Sequence, residues 1–281
     1  MIKNIIVWLL FTISLVFVGC SESKIEGEQD KQEIESLEKN NEEESDKKDG
    51  SFLSEVLLDN EIVKIISTGI DETGFDGLEL KVEIENKSDK TIIIEANQVS
   101  VDNLMYDPVF KCEVLAKGKK SESIVFLDDS IDELKNIEGF FSVLDKDSLN
   151  TVGSYSFNIL IDENSKGYTL SDNGLILVDN EVIKCVYVGQ GEDEVFGKYI
   201  ELEIENKVGD DIVAQIREVS INGNIIDPLF ISEITAGKIL KGKVKFYEKD
   251  FDELKDIEGK IHVFYSGSGD TIGEYPFSII E

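Results

Sequence analysis

One histidine, His262, and three cysteines, Cys20, Cys112 and Cys185, are all that 281 residues offer to imidazole or thiol chemistry. A thiol becomes a nucleophile when a base removes its proton and a third group orients that base. Cys185 and His262 are the pair in the second half of the chain that could take those parts, and they carry the enzymatic alternative, an envelope hydrolase or redox protein. Nothing in their spacing brings them together, and no orienting partner is marked. His262 lies in KIHVFY between Ile261 and Val263, an alternation that makes it a strand residue in a structural place. The serines of YSGSGD, residues 265–270, lack the strand, elbow and helix of a hydrolase nucleophile and read as a loop. Zinc sites built on several histidines are excluded by count.

Oxygen ligands are more plentiful. GIDETGFDG (Gly69–Gly77) and GQGEDEVFG (Gly189–Gly197) each begin and end on glycine and hold three carboxylates: Asp71, Glu72 and Asp76 in one, Glu192, Asp193 and Glu194 in the other. Calcium takes six to eight oxygens, and such a loop would give an extracellular site with a Kd on the order of 0.1–1 mM. Phe75 stands at the fifth loop position, where an EF-hand wants oxygen, and the acids shift between the loops. A solvated acidic loop is therefore the preferred reading, with calcium the one cofactor left open.

The third cysteine stands at a compositional border. Lys3 precedes an apolar run from Ile5 to Val18, broken only by Thr12 and Ser14, and Gly19-Cys20 follows at once. As a helix that run covers about 21 Å, short of the ~30 Å hydrocarbon core, so a signal peptide fits and a membrane span does not. Gly19-Cys20 resembles the lipobox of bacterial lipoproteins, in which the cysteine is lipidated and becomes the mature N-terminus. Phe17 departs from the family, which usually has Leu there. The resemblance implies a chain held at the outer face of a membrane by lipid on Cys20.

Charge narrows the partners. There are 59 acidic and 28 basic residues, for a formal charge of -31, and Arg217 is the only arginine. Nucleic acid needs clustered Lys and Arg, and an anionic bilayer repels the chain in the same way. From Ser21 to Gly50 the sequence carries twelve acids, five lysines and only Ile25, Ile34 and Leu37 as sizeable apolar residues. That composition cannot bury a core and reads as a stalk.

Past residue 50 the sequence repeats at an offset of 120 residues. Val82–Lys87 returns as Leu202–Lys207, Asp107-Pro108-Val109-Phe110 as Asp227-Pro228-Leu229-Phe230, and Ile137-Glu138-Gly139 as Ile257-Glu258-Gly259. Asp59-Asn60-Glu61 and Thr151-Val152-Gly153 recur likewise. The expected order is a signal peptide at 1–19, the lipidated cysteine and acidic linker at 20–50, one repeat at 51–162, a linker at 163–174 and a second repeat at 175–281. Cys112 and Cys185 face Ser232 and Ile65 across the repeat, so neither copy repeats a pairing. They read as free, buried thiols, with an inter-domain bridge as the alternative.

Within a copy, GLELKVEIEN sets Leu78, Leu80, Val82 and Ile84 against Glu79, Lys81, Glu83 and Glu85, the period of a half-buried strand. The glutamates there, with Glu201, Glu203 and Glu205, read as a solvated face, and a partner-binding face is the alternative. Asn222-Gly223 and Asp102-Asn103 read as two-residue hairpin turns. DPxF predicts a turn with Phe110 and Phe230 in the core. DDSIDELKN and EKDFDELKD predict a helical turn capping one end of it, through Ile131 with Leu134 and Phe251 with Leu254.

About seven short strands in roughly a hundred residues predict an all-β protein of two tandem immunoglobulin-like antiparallel β-sandwiches. The lipobox, acidic stalk and paired β-domains resemble immunoglobulin-like repeat domains of surface lipoproteins from low-GC Gram-positive bacteria. The resemblance implies location and fold and assigns no catalytic residue. The expected function is a non-enzymatic, lipid-anchored surface protein that binds an envelope protein or polymer. A small-ligand receptor is the further alternative, disfavoured because such receptors usually have two α/β lobes.

Overall fold

Alternation of apolar with polar or charged residues runs through long strands such as Leu78–Asn86, and nine strands are described in each repeat. The computed structural model describes residues 54–71, 77–127, 131, 133–193, 197–246 and 253–280. The signal peptide, Cys20, the acidic linker and the candidates Glu72, Asp76, Glu194 and Phe251 lie outside them. In the first repeat the strands are β1 (Glu55–Asp59), β2 (Val63–Asp71), β3 (Leu78–Asn86), β4 (Ile92–Val101), β5 (Leu104–Tyr106), β6 (Lys111–Val114), β7 (Lys119–Phe126), β8 (Asn136–Asp145) and β9 (Thr151–Leu160). In the second they are β10 (Leu175–Asp179), β11 (Ile183–Asp193), β12 (Gly197–Asn206), β13 (Ile212–Ile221), β14 (Asn224–Ile226), β15 (Ile231–Ile234), β16 (Ile239–Lys245), β17 (Ile257–Tyr265) and β18 (Thr271–Ile279). No helix occurs among the described residues.

Each repeat is a sandwich of two antiparallel sheets. In the first, β1-β2-β3-β7 form one sheet, while β4 pairs with β8, β8 with β9, and β5 and β6 line the free side of β4. The chain thus crosses after β3, returns at β7 to pair with β3, and crosses again at β8 to pair with β4. That Greek-key alternation defines an immunoglobulin-like sandwich. The second repeat copies it as β10-β11-β12-β16 over β18-β17-β13 with β14 and β15. Even the irregularities repeat: bulges fall at Ser67/Gly69 and Tyr187/Gly189, and Gln98 and Glu218 take positive φ of 50° and 54° at matched kinks in β4 and β13. The hairpin turns form as expected, with φ of 51° and 72° at Asp102 and Asn103 and 52° and 82° at Asn222 and Gly223.

Two separate cores result. Leu80, Val82, Ile84, Ile94, Phe126 and Phe141 fill the first, and Leu202, Ile204, Ala214, Phe246, Ile261 and Val263 fill the second. Phe110 and Phe230 are buried in their respective cores, as the DPxF segments predict. Glycine in the repeated IEG segment is a packing requirement. A Cβ at Gly139 would stand 2.9 Å from Val99 Cγ2 and 3.0 Å from Phe157 Cε1, and at Gly259 the same clash recurs with Phe277 and Val219. Ile131, Leu134 and Leu254 bury as core caps. The described residues of those two segments are not helical, however, since each side chain reaches the core from an irregular connection. Cys112 and Cys185 are free and buried, and burial pushes both thiols up.

Both sandwiches belong to one compact unit, Gly50–Glu281. β16 meets β5 in a parallel bridge, Ile239 to Leu104, so one sheet of the second repeat continues a sheet of the first.

Candidate functional site

The chemistry open to Cys185 and His262 depends on which way their strands turn them. Cys185 points into the second core from β11. His262 alternates with the buried Ile261 and Val263 on β17, in the opposite sheet, and so faces away from that core. Its Nε2 lies 3.0 Å from Thr271 Oγ1, and its ring centroid is 5.2 Å from that of Phe264, with the planes tilted by 36°. Burial, aided by Arg217, holds its pKa below the usual histidine value. The enzymatic alternative therefore loses its dyad: the two groups occupy different sheets and different faces.

Of the loop acids, Asp71 accepts a hydrogen bond from Lys81 Nζ at 2.7 Å, and Glu192 lies opposite Lys198 in the β11–β12 register. Asp193 lies opposite Gly197. No group of three or more His, Cys, Asp or Glu side chains is gathered for a metal among the described residues.

The repeated polar motifs are clamps within each fold. Asn60 Oδ1 accepts from the backbone N–H of Ile62 and Val63, and Asn180 Oδ1 from Val182 and Ile183. Buried Asn86 donates to the carbonyls of Lys90, Val114 and Leu115, and Asn206 to those of Asp210 and Ile234. Lys87 and Lys207 reach back to Asp59 and Asp179. Buried amides satisfied in this way hold loops in place, which is why both copies keep them.

One glutamate departs from the solvated face. Glu203 is 1% exposed, and it accepts hydrogen bonds from Tyr168 Oη (2.5 Å), Ser171 N (2.7 Å) and Ser171 Oγ (2.9 Å). These donors belong to the connection between the repeats. Burial, with the Glu203 carboxylate beside it, pushes the Tyr168 phenol up to about 12. The same connection grips the first repeat, where Ser165 Oγ donates to Asp102 Oδ1 at 2.7 Å and Tyr168 N to the Asp102 carbonyl at 2.5 Å. It is a strap fastened at both ends.

Direct contacts complete the joint. Ile239 N donates to the Asn103 carbonyl at 2.9 Å, and Thr235 N lies 3.3 Å from Met105 Sδ. Lys238 Nζ donates to Glu138 Oε2 at 2.8 Å and to Asn103 Oδ1 at 3.1 Å. Gln98 Nε2 donates to Asp211 and Glu233. Met105 packs against the second core.

Beside this joint β5 and β16 diverge, and the fork opens into a groove of about 860 Å³. The first repeat contributes Tyr106, Pro108, Phe126 and Leu127 to its lining, and the second Glu233, Leu240, Lys241 and Lys243. Tyr106 meets Phe126 edge-on, with ring centroids 6.4 Å apart. Lys243 sits over the Tyr199 ring at 4.6 Å. Along one edge β16 pairs with β12. Along the other it is met only at its ends, by Leu104 at Ile239 and by Leu229 at Lys245, and no described strand pairs with residues 240–244 between them. Of these residues only Pro108, in the repeated DPxF segment, carries a signal in the sequence, because the groove exists only once the repeats are joined.

No protein-family model and no curated protein matches the chain. Solved structures do align with it. The YadV chaperone is 10% identical over 72% of this chain and 92% of its own, with a TM-score of 0.26. The Salmonella enterica SafA pilin in complex with the SafB chaperone is 11% identical over 79% and 98%, at 0.27, and the Pseudomonas aeruginosa CupB2 chaperone is 9% identical over 72% and 92%, at 0.22. The strand pairing described above, rather than these alignments, establishes a tandem of immunoglobulin-like sandwiches.

Proposed function

We propose that the chain is a non-enzymatic, lipid-anchored surface protein that holds an extended segment of an envelope protein in the groove between its repeats. The observation that carries this reading is the unpaired edge of β16 lying along a groove built by both repeats. An extended segment adding to a sheet edge satisfies backbone groups on both sides, while flanking pockets select its side chains. Lys241 and Lys243 beside that edge favour acidic positions in the bound segment. The formal charge of -31 argues for a protein over nucleic acid or an anionic polymer. Lipid on Cys20 supplies the anchor, following the resemblance to surface lipoproteins, and the acidic segment 21–50 spaces the sandwiches from the bilayer.

The test is a photo-reactive amino acid in place of Leu127, at the groove, or of Leu160, at the end of β9, in the full chain in cells. Both side chains are exposed. A discrete protein adduct from position 127 that position 160 does not give is the expected result. No adduct, or the same adducts from both, contradicts the reading. In the same cells Cys20→Ser should abolish labelling by fatty acid and release the chain from the membrane. A variant that stays membrane-bound without lipid contradicts the anchor.

A further inference from the structure

The joint between the repeats is head-to-tail: a hairpin tip of one sandwich seats on a loop of the next. Because the sandwiches are copies, each carries both halves of that joint, and only one of each is used. In the first repeat the tip is engaged, with Leu104 buried and Met105 half-buried. The matching tip of the second repeat, Asn222 to Ile225, is exposed throughout, and Ile225 is 86% exposed. The receiving loop shows the reverse. Thr235 and Ala236 are half-buried and Ile239 buried, while their counterparts Leu115, Ala116 and Lys119 are exposed, Leu115 at 68%.

We infer that a second copy of this chain is the partner for these vacant halves, the tip around Ile225 of one molecule seating on the loop around Leu115 of the next. The contact pair is fixed by the repeat: Met105 meets Thr235 in the intramolecular joint, and the equivalent positions are 225 and 115. Both are aliphatic and exposed, so their meeting removes apolar surface from water. The main-chain bond of the joint needs no particular side chain, and the Lys119 N–H can meet the Gly223 carbonyl as Ile239 meets Asn103. Glu258 stands where Glu138 does. Gly118 replaces Lys238, and the nearest cations are the exposed Lys117 and Lys119 on either side, which are ion-paired with Asp89 and Glu85 in the single chain.

Two features weaken this contact relative to the internal one. No strap ties the molecules, so the effective concentration that the connection provides is lost. Glu218 replaces Gln98 and is engaged with Lys260. A heterologous contact of this kind does not close into a symmetric pair and extends into short chains of molecules when the protein is concentrated.

The test uses two full-length chains with different tags, one carrying Ile225→Cys and the other Leu115→Cys, mixed under a mild copper oxidant. Unsubstituted chain reports any cross-link through Cys20, and unchanged melting temperatures confirm that the variants fold. Mixed-tag dimers in several-fold excess over either same-tag dimer are expected, with a yield that rises with concentration. Same-tag dimers in equal amount, or no cross-link beyond the unsubstituted control, overturn the inference. A second measurement is sedimentation of the unsubstituted chain, whose average mass should rise with concentration and lose that rise in Ile225→Asp. A mass independent of concentration also overturns it.

Discussion

Asp145 shows how a single side chain distinguishes the two copies. Its carboxylate accepts hydrogen bonds from Lys90 Nζ at 2.6 Å and from the backbone N–H groups of Asp147 and Ser148, closing the β8–β9 turn. Lys90 first, and then the Ser148 N–H, hold its pKa down at about 2. A carboxyl depressed in the folded state adds stability that is complete above its unfolded value of about 4 and is lost as pH falls through the folded value. The first repeat should therefore lose stability between about pH 4 and pH 2. The second has Tyr265 at the matching position and lacks this contribution. Denaturant midpoints followed across that range should fall for the native chain, and Asp145→Asn should be less stable at pH 6 with a flatter profile. Parallel profiles for the two proteins would refute the role of this carboxylate.

At the scale of strands and connections, most of the fold could be read from the residues and the joint could not. Strand alternation such as Leu78-Leu80-Val82-Ile84 is a local property, and the 120-residue register carries it on as Ile200-Leu202-Ile204, with Lys198 in place of Leu78. No helical turn forms in the described residues of DDSIDELKN, because Ile131 and Leu134 have a helix spacing that an irregular connection also satisfies when both face one core. The connection at 163–174 carries no alternation, and Glu203 belongs to a strand face otherwise outward, so only the structure shows them fastened together. A signal did exist where the copies part company: Leu104 against Asn224, Ile239 against Lys119 and Lys238 against Gly118. In each case the residue suited to a contact lies on the side that the joint uses. Tyr168→Phe removes one hydrogen bond to a buried carboxylate and should destabilise the strap by about 1–3 kcal/mol. Hydrogen exchange should then quicken at the amides of Tyr168 and Ser171 with little change in either core. Unchanged exchange there would show that the Glu203 contact does not hold the connection.

For the molecule as a whole, the account turns on the two sandwiches behaving as one body, because the β5–β16 fork, the groove and its unpaired edge exist only if the repeats keep one orientation. The strap through Tyr168 and Ser171, the Lys238–Glu138 pair, the Gln98 bonds and the Ile239–Leu104 bridge all act to that end. Contacts of several kinds that share few residues do not fail together, and the core-packed Met105 adds apolar burial to the polar ones. The most direct measurement is the distance distribution between spin labels at Val152→Cys in the first repeat and Ile231→Cys in the second, both exposed sites, in the full chain. The account predicts a single narrow distribution that broadens when Tyr168→Phe and Lys238→Ala are combined. A broad distribution in the otherwise unsubstituted chain, unaltered by those two changes, would show that the repeats swing independently and would contradict it.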